Sequence, residues 1–571
     1  MAHQNTDQLT TPVGREISVD ELSVRGRTAW LRSYSFVVAL YIVTMAVTGA
    51  AFMGDTIGYA DSILESKFFE FGHLLWFTLG WLASVTLGPF TGLDPRLNVI
   101  FALVAVNWAA GLMSVILLHS LALKVAEREW PAIFATIGFI FSQAFLDLAH
   151  SGCAYIPGLS FFLIGLWLLF RAEEQPRYAT RWAIMAGAVF ATAVALWSPY
   201  VTALPGALLA TLLLFGLTRP RLSFVVRAGL AFGCVVAIIY GTAALLQGIY
   251  TVGGFVEWVH SSSHGITDKG NLPRLLFGVP RSFTFTGRDG SMFKRFLYHD
   301  PYNPVSLFDL FQGTLAKIFI FYLLIAATAV VLLRTDRGRR LLAFLALSAA
   351  PLLALALLWE AGAIERYLPI YPALFLSLSY ALTRRSAFFL YETLVGVWIA
   401  MNIGVNTSAM ANPTLAAHQK RVAARVEALQ PLLKPQSAMA TLSQLDELWA
   451  FPWDYPFHPI NQHQSLPTYH IQEPGTTQIP VWRENFAAKA QSVWSTGGDF
   501  WISKRLLAPR PKAEWNWVEG DDPRITWNDI YRYFSQFDYA QAVGGEDGFV
   551  LLARSPKNNR LLESSTKSGS L

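Results

Sequence analysis

Charge is the scarcest commodity in this sequence. Only 15% of its 571 residues are Asp, Glu, Lys or Arg, whereas 53% are hydrophobic and mean hydropathy is +0.37. A water-soluble chain of this length could not cover that much apolar surface with so few charges. The net charge of +5 is small too, and gives no reason to expect a nucleic-acid partner. Cysteine is almost missing. With only Cys153 and Cys234, and no Cys-x-x-Cys or Cys/His spacing, a disulfide scaffold and a structural zinc site lack support. A Cys153–Cys234 bridge is open to the chain but is not expected. Internal repeats and low-complexity blocks are absent as well, although the inverted repeats of transporters can be faint in sequence.

Long apolar runs fill the space instead. Ser33 to Met53 is long enough to cross a bilayer core of roughly 30 Å and too long for a secretory h-region. Arg25, Arg27 and Arg32 precede it, so it reads as an uncleaved first helix with a cytoplasmic N-terminal segment, 1–32. Further runs lie at 97–122, 131–149, 155–171, 182–199, 201–217, 223–247, 313–333, 340–358, 366–383 and 386–405. In lipid, a helix is the form in which such a segment satisfies its own backbone. An α-helical polytopic membrane protein of about eleven spans is therefore expected.

The stretch 68–90 is apolar enough to span, and counting it would invert everything after it. The positive-inside rule decides. Without it, Lys124/Arg128, Arg171/Arg177/Arg181, Arg219/Arg221/Arg227, Arg334/Arg337/Arg339/Arg340 and Arg384/Arg385 share one side. The short opposite loops 148–154, 198–201 and 359–366 then hold one basic residue, Arg366. So 68–90 reads as interfacial helix on the outer face, with Trp76 and Trp81 at headgroup depth. The transmembrane part is 33–407, with long outer segments 54–96 and 248–312. Residues 408–557, within a C-terminal region carrying eight tryptophans and no spanning run, read as an extracytoplasmic mixed α/β domain. Within it, 414–434 reads as an amphipathic helix and 547–553 as a strand, and 558–571 as a disordered tail. The protein is expected in the cell (inner or plasma) membrane.

An ionisable residue near the end of a membrane helix is costly and becomes a functional candidate. Asp55 follows the first span directly, in GDTIGYADS, and His73 opens the interfacial helix in FEFGHLLW. The plain alternatives are that Asp55 caps the next helix and that His73 is an interfacial polar residue; Asp61 reads as a solvated face. The loop FSQAFLDLAHSGCAYIPGL brings Asp147, His150 and Tyr155 to the same side, where Tyr155 could equally be an aromatic-belt residue. WEAGAIERYLPIYPAL clusters Glu360, Glu365 and Arg366. There a Glu365–Arg366 surface anchor competes with a phosphate-binding arginine.

In order and topology these pieces resemble the GT-C superfamily of membrane glycosyltransferases. GDTIGYADSIL…FEFGHLLW is similar to the Asp-to-His-Pro-Pro stretch of its protein O-mannosyltransferase-like and aminoarabinose-transferase-like branches. ERYLPIYPALFLSL is similar to their RY-x-LP-x-x-PAL helix. The resemblance spans roughly 30–405. Leu74 and Leu75 stand where that pattern has prolines, and Asp147 is alone on its loop with no DxD, which argues against an obligate metal. The resemblance implies transfer of a sugar, hexosyl or pentosyl, from a polyprenyl-phosphate donor to an extracytoplasmic acceptor, with inversion. It implies Asp55 and Asp147 as catalytic acids, and Arg366 and His73 on the donor phosphate. Tyr155, Glu365 and His150 would contact substrate. No cofactor is required by it, though a divalent cation could assist. Two other classes compete: a transporter or flippase of a lipid-linked sugar, which needs charges within the spans, and a non-catalytic subunit of glycan assembly.

Overall fold

The structure is a computed structural model that describes residues 19–50, 55–261, 272–287, 291–384, 389–413, 424–425, 427–434, 436–443, 468–472, 482–515, 517–519 and 525–567. The helices of its N-terminal two thirds are α1 (Val19–Val47), α2 (Thr56–Leu64), α3 (Trp76–Thr91), α4 (Pro95–Ala126), α5 (Glu129–Ile140), α6 (Gln143–Ala149) and α7 (Tyr155–Glu174). They continue as α8 (Ala179–Leu196), α9 (Leu204–Phe215), α10 (Arg219–Leu246), α11 (Val252–Ser261), α12 (Leu272–Phe283), α13 (Ser291–Tyr298) and α14 (Leu307–Leu333). The last three are α15 (Asp336–Leu358), α16 (Tyr371–Leu382) and α17 (Phe389–Met410). Sequence punctuation sets the ends. Asp94 accepts from the Arg96 and Leu97 amides ahead of α4, with Pro95 in its first turn, and Thr218 and Thr335 cap α10 and α15 in the same way.

Among the described residues, eight helices are long and apolar enough to cross a membrane, or nine if the α5–α6 pair, bent by 63°, is one span. The chain is a multi-pass membrane protein. Each of the eleven expected stretches is helical at least in part. Two fall short of span length: the apolar part of α1, Leu31–Val47, and the 366–383 stretch. Prolines 369 and 372 divide the latter into a 3-10 turn, Ile364–Ile370, and α16.

Helix ends gather on two opposite faces. On one, the end of α1 bonds the end of α17 through Gly49 and Met410, and Thr48 meets His150 beyond α6. On the other, Lys124 of α4 pairs with Glu174 of α7, Arg221 of α10 with Glu173, and Arg337 of α15 with Glu127 after α4. Lys124, Arg221 and Arg337, which the sequence assigns to one side, therefore meet at one end of the bundle.

The 68–90 stretch holds a 3-10 turn, Phe71–His73, and α3, which is not among the helices long and apolar enough to cross. The expectation for Trp76 fails: it is fully buried and its indole N–H donates to Gly152 O at 3.0 Å. Trp81 is half-exposed.

The C-terminal region builds a five-stranded mixed sheet in the order β2-β1-β3-β5-β4. Its strands are β1 (Ala438–Ser443), β2 (Thr468–Gln472), β3 (Phe500–Ser503), β4 (Tyr539–Val543) and β5 (Phe549–Leu552). β2, β1 and β3 run parallel; β5 is antiparallel to β3 and β4. Helices α18 (Trp482–Ser495), α19 (Trp527–Phe534) and α20 (Pro556–Lys567) complete it. Five of the region's tryptophans, 482, 501, 515, 517 and 527, are buried there. Of the amphipathic helix expected at 414–434, residues 414–423 and 426 lie outside the described residues, and 424–425 and 427–429 are helical. The tail is a correction over its described part: residues 558–567 belong to α20, which packs on α18 and buries Leu562. Tyr302, Asn303 and Arg295 of the second long segment reach this unit, Asn303 donating to Pro511 O and Arg295 to Ala513 O.

Candidate active site

Asp55 occupies the N-cap position of α2, yet its side chain makes no capping bond. It is exposed and accepts from two tyrosines on one oxygen. Tyr155 Oη donates to Oδ2 at 3.0 Å and Tyr59 Oη at 3.3 Å. The capping alternative therefore does not account for it. Tyr59 also meets His73, whose Nε2 lies 2.9 Å from the phenol oxygen while Nδ1 lies 3.4 Å from Leu196 O. The phenol has one proton to give. A neutral His73 donating from Nδ1 accepts it at Nε2; an imidazolium donates to Tyr59 instead and leaves that proton for Asp55. Burial, with Tyr155 and Asp55 close by, pushes the Tyr59 hydroxyl well above its ordinary range. It stays a donor.

Loop packing fixes this register. Gly152 presses against α2 so closely that an added Cβ would lie 2.5 Å from Thr56 Cγ2 and 2.9 Å from Leu103 Cβ. Its amide donates to Thr56 Oγ1 at 2.8 Å. Three residues on, Tyr155 begins α7 beneath Asp55, its carbonyl held by Tyr200 Oη at 2.9 Å. Cys153, between them, is buried, and burial pushes its thiol up to about 12. Both cysteines are free.

Arg366 is buried to 7% exposure. Its guanidinium carbon sits 3.4 Å from the centre of the Trp359 ring and Nη2 lies 3.3 Å from Glu360 Oε2. Its Nε has no hydrogen-bond partner among the described residues. The ion pair is therefore with Glu360, not with Glu365 as the anchor alternative supposes. Glu360 holds φ at +44°, a strained setting for a residue with a Cβ. Glu365 and Arg366 lie within electrostatic reach of the Tyr155 hydroxyl, and Asp55, Glu360 and Arg366 all act on Glu365. Burial, reinforced by Asp55 and Glu360 against Arg366, raises the Glu365 carboxyl. Some of its surface stays accessible, so it sits in a recess.

Arg281 was not singled out by the sequence beyond its place in the basic 248–312 segment. It donates to Gly362 O at 3.4 Å, because Gly278 lets α12 approach the 359–363 turn; a Cβ there would meet Ala361 O at 2.0 Å. Tyr59 was missed altogether. Its signal is present: it stands one helical turn after Asp55 on α2.

The other expected residues are placed differently. Asp147 is buried on α6, which packs on both the Arg366 turn and α12, and it has interactions of its own. His150 has partners of its own: Nε2 is 2.9 Å from Thr48 Oγ1, its ring abuts Trp108, and burial draws its pKa down to about 4. Asp61 is paired to Arg96, 2.8 Å from its Nε and 2.9 Å from Nη2, rather than merely solvated. Among the described residues no group of three or more His, Cys, Asp or Glu is gathered as a metal would need.

No protein-family model matches the chain, and no curated protein matches it. Among solved structures it is similar to ArnT from Cupriavidus metallidurans, crystallised bound to undecaprenyl phosphate, at 10% identity and a TM-score of 0.47, covering 93% of this chain and 99% of that one. It is also similar to the Archaeoglobus fulgidus oligosaccharyltransferase, in complex with Zn and sulfate, at 12% identity and a TM-score of 0.43, covering 89% and 71%.

Proposed function

We propose that this protein is a membrane glycosyltransferase that moves a sugar from a polyprenyl-phosphate donor to an acceptor at the face where Asp55 lies. The observation that carries the reading is the joint setting of an exposed carboxylate and a buried guanidinium. Asp55 is oriented by two phenols, and Arg366, with Nε unengaged, acts on the same tyrosine and glutamate. Inverting transfer asks for such a pair. The acceptor hydroxyl oxygen bonds to the anomeric carbon as the bond from that carbon to the phosphate oxygen breaks. The hydroxyl proton passes to Asp55, and the charge left on the departing phosphate is held by Arg366, with Arg281 nearby. His73, through Tyr59, sets the hydrogen bonding of Asp55 rather than touching phosphate. Tyr155 and Glu365 border the sugar, and Asp147 supports the Arg366 turn from α6.

A lipid-linked donor suits the setting, since its tail lies among helices while its phosphate stays at their ends. By the positive-inside rule the Asp55 face is extracytoplasmic, as is the sheet domain that 291–303 holds. Whether a divalent cation assists is decided by EDTA in the transfer assay. The test of the whole reading is incubation of purified protein with a panel of polyprenyl-phosphate sugars. Release of polyprenyl phosphate that stops in Asp55→Asn supports it. Absence of release from every donor, alongside transmembrane movement of one of them, replaces it with the transporter class.

A further inference from the structure

At the end of the bundle opposite Asp55, several cations are engaged within the protein. Lys124 and Arg171 pair with Glu174, Arg221 with Glu173, Arg337 with Glu127 and Arg339 with Asp336. One group differs. Arg177, Tyr178, Thr180 and Arg181 line an open groove of about 460 Å³ at the start of α8, with Ile184 and Met185 as its apolar wall. Among the described residues no acid pairs with Arg177 or Arg181. Arg227 of α10 joins the same rim by donating to the Thr180 hydroxyl. Glu173 and Glu174, the acids just before the groove, are already held by Arg221, Lys124 and Arg171. Beyond the rim the surface turns apolar: Ile184 on α8 and Val226 and Leu230 on α10 are each more than half exposed.

We propose that this groove binds the headgroup of an anionic phospholipid. Three guanidiniums without carboxylate partners leave a net positive recess, and their planar forks match phosphate oxygens. The Tyr178 hydroxyl adds a donor at the rim. The exposed aliphatic side chains of α8 and α10 continue from the recess in the way that acyl chains continue from a headgroup. A zwitterionic headgroup brings its own cation into the cluster and is disfavoured; an acidic one meets a complementary field. The assignment is independent of the chemistry at Asp55.

The test uses the purified full chain in a neutral detergent, followed by thermal unfolding with phosphatidylglycerol, phosphatidylcholine, inorganic phosphate or undecaprenyl phosphate added. Phosphatidylglycerol is expected to raise Tm by about 3–5 °C, with phosphatidylcholine and inorganic phosphate giving about 1 °C or less. The triple variant Arg177→Gln/Arg181→Gln/Arg227→Gln should lose that selective shift. The double variant Arg177→Gln/Arg181→Gln keeps the Arg227–Thr180 bond, and native mass spectrometry should find fewer retained phosphatidylglycerol molecules on it. Equal shifts from both phospholipids, a shift retained in the variants, or full replacement by inorganic phosphate overturns the proposal. A larger, variant-sensitive shift from undecaprenyl phosphate also overturns it, and gives the groove to a polyprenyl lipid.

Discussion

Asp55 and Arg366 stand near opposite ends of the membrane part of the sequence, and their proposed roles predict separable losses. Asp55→Asn keeps the shape and both tyrosine bonds but cannot take a proton. Turnover should fall by about a hundredfold or more, and a rate within a few-fold of wild type would remove Asp55 from the role of base. Arg366→Ala should weaken polyprenyl-phosphate binding more than it lowers Tm, and Lys should restore it only in part, since an ammonium lacks the bidentate fork. Because the ion pair runs to Glu360, the anchoring alternative is tested by Glu360→Ala. Matched stability losses in Glu360→Ala and Arg366→Ala, with donor binding intact, would sink the phosphate role. Glu365 offers a pH test. Its carboxyl is raised in the fold by burial and by Asp55, so the native state holds this proton more tightly than the unfolded chain. Its contribution to stability is then fully present below the ordinary carboxylate range and declines as pH rises through the raised value. Glu365→Gln should therefore flatten the fall of Tm with rising pH, and an unchanged slope would count against a buried acid there.

Elements, rather than single residues, explain what the sequence made legible and what it hid. Asp55, Arg366 and Tyr155 could be found because each sits where an apolar run ends, and a charge or hydroxyl in that place needs a reason. Tyr59 was hidden because Asp61 and Asp55 drew attention on the same short helix, and only the docking of the 152–155 loop shows which side chain turns inward. Trp76 went astray because its sequence context is equally apolar for an interfacial and a buried helix; the Gly152 carbonyl it bonds is contributed by a distant loop. His150 was read with Asp147 for proximity in sequence, yet the end of α6 turns it toward Thr48. The tail was read from composition alone, and α20 is instead recruited by an apolar contact through Leu562. Gly152 sets how closely the loop docks. Gly152→Ala puts a methyl into Thr56 and Leu103, an overpacking that should cost about 1–3 kcal/mol. Turnover should fall further than in Thr56→Ser, which keeps the hydroxyl the loop amide needs. Equal activity in Gly152→Ala and wild type would mean the loop does not set the Tyr155–Asp55 register.

At the scale of the whole molecule, the two ends of the bundle differ in chemistry enough to decide which face looks outward. One end collects Lys124, Arg221 and Arg337, each joined to a neighbouring helix end or turn, with Arg171 and Arg339 paired within their own helices. The other carries Asp55, the Arg366 turn and, through Asn303 and Arg295, the sheet domain. Cations near short loops are retained on the cytoplasmic side, so the first end should be cytoplasmic and the second outside. Single cysteines report this directly. Cys153 is buried with its thiol pushed up to about 12, so it reacts poorly and can stay, while exposed Cys234 is replaced by Ser to clear the background. Arg128→Cys and Arg339→Cys then place exposed thiols on the basic end, and Ser535→Cys places one on the sheet domain. In intact cells an impermeant maleimide should label Ser535→Cys and spare the other two, which should react once a permeant reagent is used. The opposite pattern would put Asp55 on the cytoplasmic side, where soluble nucleotide sugars are at hand and the physical case for a lipid-linked donor disappears. Labelling at both ends, checked against a cytosolic control thiol to rule out leakage, would show instead that the basic end and the sheet domain do not lie on opposite sides of the membrane.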